Sequence, residues 1–297
     1  MFKIVERSKI FFSISGIIIL LGIIMFCVHG GFAEDVDFAG GMSMYIDMGK
    51  EVDLKEVTAA VKEAAPDIAN PIVQRSDGFQ VVIQTTPVET DVKDKIQSTL
   101  LEKFELPAEA VLQVDNVSAT VGNELKTQAL TATLIAAILM LLYITIRFEF
   151  KTGVSAIVAL LHDVLIMLSF YAIFQVPINT TFIAAILTII GYSINNTIVV
   201  FDRVRENVKR SRRAPFNETI DNSIKQTLVR SVNTTITTLL PVVMLFIFGV
   251  QSIRQFTIPL IVGLIAGTYS SILLAGPIWA GLKKWQDKRK HKKLKTA

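Results

Sequence analysis

Long apolar segments constrain this chain more than any other feature of its sequence. A helix that crosses the hydrocarbon core of a bilayer needs about 20 apolar residues. Six segments approach or exceed this length, at residues 10–28, 130–146, 154–176, 182–201, about 231–250 and about 256–282. Of the 297 residues, 51% are hydrophobic and 19% are charged, which argues against an ordinary soluble enzyme or a disordered chain. We therefore predict an α-helical membrane protein with six transmembrane helices.

The first apolar segment follows Lys3, Arg7 and Lys9, as the core of a signal peptide would. Its core is too long for a signal peptide and no small-residue cleavage site stands out, so we assign residues 1–28 to a tail and a retained span. The single cysteine, Cys27, lies in this span and cannot form an internal disulfide.

Basic residues predict the orientation of the spans, because Lys and Arg collect in short cytoplasmic loops. The basic regions are residues 3–9, 147–151, 203–213 and 283–297. Six spans put all four regions on one side of the membrane. We therefore expect both termini in the cytoplasm, residues 29–125 outside, a five-helix bundle over residues 126–282 and a basic cytoplasmic tail after it.

The net charge of +4 hides an uneven distribution. Residues 29–125 hold 18 acidic and 7 basic residues, a net of −11, and the rest of the chain holds 8 and 23, a net of +15. The basic charge therefore follows topology. Nucleic-acid binding also favours aromatic residues among the basic ones, and the tail offers only Trp285. We predict no nucleic-acid partner.

The external segment alternates strand and helix patterns. The predicted elements are a strand at residues 42–48, a helix at 53–65, a strand at 79–85, a helix at 92–104 and a strand at 111–121. Asp53 is the expected N-cap of the first helix. This βαββαβ-like order predicts a small α+β ferredoxin-like extracytoplasmic domain between the first two transmembrane helices. Its scattered carboxylates indicate either a solvated acidic surface or a face that binds an extended polypeptide.

A short motif, Asp37-Phe38-Ala39-Gly40-Gly41, stands between the first span and the first predicted strand. Paired glycines adopt backbone conformations that other residues avoid. One interpretation is a tight turn that hinges the domain onto the membrane, formed by Asp37, Phe38, Gly40 and Gly41. The other interpretation is contact with a substrate.

Polar side chains inside the spans are the candidate functional groups, because ionisable residues are costly in a membrane. The predicted proton- or ion-relay region comprises His162, Asp163, Asn195, Asn196, Asp202, Arg203 and Arg230. Asp163 either pairs with a cation, takes up a proton or forms a satisfied structural pair that His162 orients. Asp202 and Arg203 could instead reach cytoplasmic water. Arg230 either anchors its helix at the interface or points into the bundle toward the fourth span.

Two patterns concern helix packing. An apolar residue recurs at every fourth position after Pro215, at Phe216, Ile220, Ile224 and Leu228. This repeat predicts a cytoplasmic amphipathic helix near residues 216–228 that lies on membrane lipid. The spacing of Gly263 and Gly267 predicts close helix packing in the sixth span.

Several of these residues belong to motifs of one known family. The motifs are residues 37–41, 147–149 (Arg-Phe-Glu), 161–164 (Leu-His-Asp-Val), 191–207 (GYSINNTIVVFDRVREN), 226–239 and 267–271. Together they resemble the SecF branch of the SecD/SecF family of bacterial protein-export membrane proteins. The resemblance covers essentially the whole chain.

This resemblance implies a partner and a mechanism. Chains of the SecF type pair with a SecD-like membrane subunit, and their twelve spans form a pseudo-symmetric body of the resistance–nodulation–division (RND) type in the bacterial plasma membrane. The external domains are expected to pull a preprotein that emerges from a SecYEG-type channel, driven by a proton gradient, with sodium as an alternative. No cofactor, metal or catalytic residue is expected, and the sequence has no phosphate-binding loop.

One position departs from the family pattern. The family reads Ser-Ile-Asn-Asp-Thr in the fourth span, whereas this chain has Asn196 at the position of the proton-carrying Asp. Arg230 matches the Arg that accompanies that Asp. An amide does not titrate, so three explanations are open. The SecD-like partner carries the coupling, Asp163 substitutes for the missing acid, or the Asn was introduced in place of a natural Asp.

Two other functions compete with a subunit of the export machinery. An RND-type exporter half-subunit for small molecules or lipids is disfavoured, because such exporters usually hold both six-span halves in one chain. A structural subunit without coupling is favoured by Asn196 but disfavoured by the polar stripe of the fourth span.

Overall fold

The computed structural model describes residues 3–68, 71–76, 78–147, 149–211 and 214–296. Within these ranges six helices are long and apolar enough to cross a membrane, which confirms the predicted number of spans. Phe148 of the Arg-Phe-Glu motif, and Arg212 and Arg213 of a basic region, lie outside the described residues.

The spans are formed by long helices that follow one another closely. They are α1 (Ser8–His29), α5 (Ala119–Arg147), α6 (Phe150–Phe174), α7 (Thr180–Arg210), α8 (Phe216–Phe248) and α9 (Gln251–Tyr269), which continues through a π-helical turn (Ser270–Leu274) into α10 (Ala275–Thr296). The helices α6, α7 and α9 form the buried centre of the bundle, while α1, α5 and α8 expose most of their apolar surface.

A small α+β domain is inserted between α1 and α5. Its elements are α2 (Val36–Ala39), β1 (Gly41–Asp47), α3 (Leu54–Ala64), β2 (Ile72–Arg75), β3 (Gln80–Thr85), α4 (Thr90–Lys103), a 3-10 turn (Ala108–Ala110) and β4 (Val111–Val117). The antiparallel sheet has the order β2-β3-β1-β4, as expected for the ferredoxin-like arrangement. The predicted cap of α3 is present, since the Asp53 side chain accepts a hydrogen bond from the Lys55 N–H at 2.9 Å.

Two details of this domain differ from the sequence prediction. The last strand ends at Val117 rather than residue 121, because α5 already begins at Ala119. The four-residue edge strand β2 was not predicted. Its residues are largely exposed, so it lacks the alternating apolar pattern by which a half-buried strand is recognised.

The two faces of the sheet are chemically distinct. One face carries Met42, Met44 and Ile46 of β1, which are fully buried with the apolar sides of α3 and α4. The alternate residues Ser43 and Tyr45 lie on the opposite face, which is also buried. This polar face is turned toward the helix bundle, because the Tyr45 hydroxyl accepts a hydrogen bond from Gln255 of α9 at 2.8 Å.

The helix near residues 216–228 is not a separate helix on the membrane surface. These residues form the first turns of α8, which runs without a break to Phe248. The reason is packing: Ile220 and Ile224 are buried, and a Cβ at Gly276 of α10 would lie only 2.8 Å from Ile220 Cγ2. The apolar repeat therefore faces the bundle rather than lipid.

Candidate functional site

Asp163 is the centre of a buried polar cluster near the middle of α6. Its side chain is 1% exposed. Oδ2 accepts hydrogen bonds from Ser193 Oγ of α7 at 2.5 Å and from Ser270 Oγ of the π-helical turn at 2.9 Å. Three segments distant in sequence therefore converge on one carboxyl group, which accepts hydrogen bonds from two hydroxyl groups.

His162 extends this cluster toward α1. Its Nδ1 lies 3.0 Å from Asp163 Oδ1, and its Nε2 lies 2.8 Å from Ser15 Oγ. The imidazole also stacks on Tyr269, with ring centroids 6.0 Å apart. A neutral imidazole with its proton on Nδ1 can donate to Asp163 and accept from Ser15, whereas an imidazolium would donate to both.

The π-helical turn brings two adjacent serines into the bundle. Ser270 contacts Asp163, while Ser271 Oγ lies 2.8 Å from Thr197 Oγ1 and 3.4 Å from the Ser193 carbonyl oxygen. In a regular α-helix, adjacent side chains point about 100° apart, and a π-helical turn changes this angle locally. Such turns are frequent at functional sites.

Asn196 is buried beside this cluster, on the same side of α7 as Ser193 and Thr197, and is 3% exposed. Its Nδ2 atom is buried without a hydrogen-bond partner among the described residues. An unpaired buried donor is unfavourable by about 1–3 kcal/mol. The neighbouring Asn195 is exposed and does not join the cluster.

Arg230 does not point into the bundle toward the polar residues of α7. Its side chain is on the exposed side of α8, as are Asn233 and Thr237. The buried side of the same helix carries Ser231 and Thr235, and a step of one residue turns a helix by about 100°. The structure thus brings His162 and Asp163 together and leaves Arg230 apart from them.

Asp202 and Arg203 belong to a separate network at the other end of α7. Arg203 donates to Gln226 Oε1 of α8 at 2.6 Å and to Glu206 at 2.5 Å, and Asn207 also donates to Gln226 at 2.8 Å. Asp202 lies 3.8 Å from Arg205. These contacts tie α7 to α8.

The Asp37-Phe38-Ala39-Gly40-Gly41 motif joins the domain to the bundle. Asp37 Oδ2 accepts hydrogen bonds from the backbone N–H and the hydroxyl of Thr180, at 3.0 and 2.6 Å. An acidic group is favourable there because Thr180 is the first residue of α7. Phe38 is buried. Gly40 and Gly41 have φ values of 74° and 136°, and a Cβ at Gly41 would lie 2.5 Å from the Thr85 carbonyl oxygen.

Further contacts reinforce this joint between the domain and the bundle. The backbone of Ile178 forms two hydrogen bonds with the segment after α1, to the Asp35 N–H at 3.0 Å and to the Ala33 oxygen at 2.8 Å. Gln255 accepts from Asn179 at 3.1 Å and donates to Tyr45. Asp35 is buried in this joint, and its burial raises the pKa of that carboxyl above its usual value.

Sequence reasoning identified His162 and Asp163 but missed their partners Ser15, Ser193 and Ser270. A serine in an otherwise apolar span is the signal that could have found them. Within the described ranges, no group of three or more His, Cys, Asp or Glu residues is placed to hold a metal ion.

Six apolar helices, a buried polar cluster among them and a small α+β domain on one side define a multi-pass membrane protein with an RND-like membrane body. The family model for the C-terminal part of the protein export membrane protein SecD/SecF matches residues 96–285. The chain belongs to the SecD/SecF family, as its motifs predicted.

Individual relatives place the chain near SecF. It is 40% identical over 299 residues to the protein translocase subunit SecF of Sebaldella termitidis, covering 98% of this chain and 95% of that protein. It is 36% identical to the protein translocase subunit SecDF of Bacillus subtilis, covering 94% of this chain and 38% of that protein. The solved structure of SecDF, a translocon-associated membrane protein from Thermus thermophilus, superposes with a TM-score of 0.84 at 31% identity. That match covers 95% of this chain and 39% of the SecDF chain, so this protein spans about two fifths of it.

Proposed function

We propose that this chain is the SecF-type subunit of a SecD–SecF accessory complex, which promotes protein export through a SecYEG-type channel with energy from the proton gradient. In this proposal the membrane is the bacterial plasma membrane, both termini are cytoplasmic and the α+β domain is outside. Catalytic residues, cofactors and nucleic acid have no part in it. The relatives are named as protein translocase subunits. The proton gradient as energy source, and the SecD-like subunit and the channel as partners, are what this proposal adds.

The buried carboxyl of Asp163 carries the proposal, because it lies at membrane depth where Asn196 cannot titrate. When Asp163 is ionised, Ser193 and Ser270 both donate to Oδ2. A proton on that oxygen makes it a donor to one of the two serines, so the hydroxyl of that serine must rotate from donating to accepting. Uptake and release of a proton would thereby reverse one hydrogen bond between α6 and either α7 or the π-helical turn, and so couple the charge of Asp163 to those elements.

A SecD-like partner is supported by polar side chains on the outside of the bundle. Asn195 of α7 and Arg230, Asn233 and Thr237 of α8 are exposed in this single chain, and α7 and α8 are neighbours. Polar side chains at membrane depth rarely face lipid. A second six-span subunit that covers this surface would give them polar surroundings.

The joint supports the transfer of movement to the preprotein. Asp37, Tyr45 and the backbone near Asp35 bind the domain to the ends of α7 and α9. A shift of those helices would therefore move the domain. The exposed edge strand β2 offers backbone groups to which an extended polypeptide could add a strand.

The decisive experiment measures preprotein export in vesicles that contain the channel, the SecD-like partner and this chain, with and without a proton gradient. We expect Asp163→Asn to abolish the gradient-dependent part of export. Asp202→Asn, at the exposed cytoplasmic end of α7, is the matched control and should retain it. A repeat with a sodium gradient identifies the coupling ion.

The alternative of a coupling-deficient structural subunit is favoured by the amide at position 196. We expect Asn196→Asp to raise gradient-dependent export, since the new carboxyl oxygen would replace the Nδ2 atom that has no partner among the described residues. Export that responds neither to Asn196→Asp nor to Asp163→Asn would contradict the relay and leave the structural role.

A further inference from the structure

An apolar slot lies between α5 and the centre of the bundle. Near one end of α5, a Cβ at Gly122 would lie 3.1 Å from the Phe38 carbonyl oxygen. Near the other end, a Cβ at Gly153 of α6 would lie 3.3 Å from the fully buried Ile144 of α5. Between these two contacts, α5, α6 and α7 line a groove of about 540 Å³ that is open on one side, where Leu130 and Leu161 are exposed.

The walls of this slot are hydrocarbon. They include Leu130, Ala137, Leu161, Val164, Phe182 and Ile186. The hydroxyl of Thr133, which also lines the slot, already donates to the Ala129 carbonyl oxygen at 2.8 Å. A bound water needs two or more polar partners, so the wall favours an apolar occupant.

The shape of the slot limits what can enter it. On α5 the lining runs from Lys126 to Met140, which is about 21 Å along the helix axis. A groove of this length matches an extended hydrocarbon chain, and its open side lets such a chain enter from the bilayer.

The mouth of the slot carries one charge of each sign. Glu34 and Lys126 form an ion pair at the end near the α+β domain, and their side chains stay 36% and 43% exposed. Both can therefore still bind a second group. A zwitterionic head group, with a phosphate for Lys126 and an ammonium for Glu34, matches this pair better than an anionic head group does.

We propose that this slot binds one acyl chain of a zwitterionic phospholipid such as phosphatidylethanolamine, with its head group at Glu34 and Lys126. The chain runs between α5 and α7 and fills the groove between them. The lipid thereby connects α5 to the helices that form the polar cluster. This site is independent of proton coupling.

The test uses the full chain, with any partner that co-purifies, in vesicles of phosphatidylethanolamine that carries a photoactivatable group on one acyl chain. Mass spectrometry then identifies the labelled residues. We expect labelling of the wall residues Val164 and Ile186, although Ile186 is only 5% exposed. Ala137→Trp fills the slot and should lower this labelling at least fivefold. Ala132→Trp, on the exposed side of α5, is the matched control and should leave it unchanged.

A competition experiment with the unaltered chain tests the proposal without any variant. Unlabelled phosphatidylethanolamine should displace the labelled lipid from Val164 and Ile186 more effectively than phosphatidylglycerol at the same mole fraction, and Lys126→Gln should remove this preference. Equal displacement by both lipids would refute the head-group assignment. Wall labelling that Ala137→Trp does not lower, or that a bound protein partner abolishes, would overturn the proposed occupant.

Discussion

At the residue scale, Asp163 is the most consequential side chain of the bundle. An Asp near the centre of a transmembrane helix opposes insertion by about 2.5–3.5 kcal/mol. The structure offsets this cost with donors from three segments, namely His162 beside it, Ser193 of α7 and Ser270 of the π-helical turn. Because hydrogen bonds to a charged group are stronger than those between neutral groups, the strength of these contacts reports the charge of Asp163.

The first prediction uses two adjacent serines. Ser270→Ala removes a donor to Asp163 and should lower the free energy of unfolding by about 1.5–3 kcal/mol if that carboxyl is ionised. Ser271→Ala removes a contact with the neutral Thr197 and should lower it by about 0.5–1.5 kcal/mol. Denaturant unfolding of both variants in detergent at neutral pH makes the comparison. Equal losses would argue against a charged Asp163.

Residue identity alone predicted some of this site. A carboxyl group inside an apolar segment marked Asp163, and adjacency suggested His162 as its companion. Whether Ser15, Ser193 and Ser270 face this pair depends on the rotation of each helix about its own axis. The apolar pattern does not determine that rotation closely enough to predict these contacts. The same limit explains Arg230, for which the sequence left two directions open and the structure shows the exposed one.

At the element scale, the glycines of α9 set how closely it approaches α7. A Cβ at Gly263 would lie 2.5 Å from Ile189 Cγ1, and one at Gly267 would lie 2.9 Å from Ser193 Cβ. Ser193 is a donor to Asp163, so the spacing between these helices also positions the polar cluster. The GxxxG spacing indicated close packing from sequence, whereas the identity of the facing helix required the structure.

The second prediction tests this spacing. Gly267→Ala pushes α9 away from Ser193 and should lower the free energy of unfolding by about 1–3 kcal/mol. It should also reduce the gradient-dependent part of export, because the donor to Asp163 moves. Gly191→Ala on α7 meets no atom within 4 Å and is the control. In the isolated chain its stability should stay equal or rise by up to about 1 kcal/mol. A Gly267→Ala variant as stable as this control would contradict the close-packing account.

The helix α8 shows why an amphipathic pattern can mislead. A four-residue apolar repeat predicts an apolar stripe but does not say whether lipid or protein covers it. Here α10 covers it, since Ile220 lies against Gly276. The helix α1 and the strands β1 and β3 were predicted within two residues of their observed bounds.

At the scale of the whole molecule, the α+β domain is fixed to the bundle through polar contacts. Asp37 binds the start of α7, Tyr45 binds α9, and the backbone near Asp35 pairs with Ile178. Sequence reasoning singled out the Asp37–Gly41 motif because of its paired glycines. It could not find Tyr45 and Gln255, which are 210 residues apart in the chain.

The third prediction concerns the pH dependence of this joint. Burial raises the pKa of Asp35 in the folded protein, so the folded state binds a proton more tightly than the unfolded chain. The resulting stabilisation is complete below the unfolded pKa and is lost as the pH rises through the folded pKa. We therefore expect Asp35→Asn to gain thermal stability relative to the unaltered chain as the pH rises from about 4 to 8.

Thermal unfolding of the full chain across this pH range checks the expectation. Asp67→Asn, at an exposed position of the same domain, is the control and should follow the unaltered chain at every pH. A difference between Asp35→Asn and the unaltered chain that does not change with pH would contradict the assigned cause. The Asn side chain keeps the oxygen that accepts from the Val36 N–H, so the turn itself is retained.

The helix α7 takes part in three of the polar networks described above along its 31 residues. Its first residue holds Asp37 of the domain, its middle holds Asp163, and Arg203 near its last turns binds α8. A hydrogen-bonded helix resists twisting and bending, so α7 behaves as a stiff rod about 46 Å long. A displacement of α7 at any one of these points would therefore reach the other two, so a change at Asp163 would be felt both at the α+β domain and at α8.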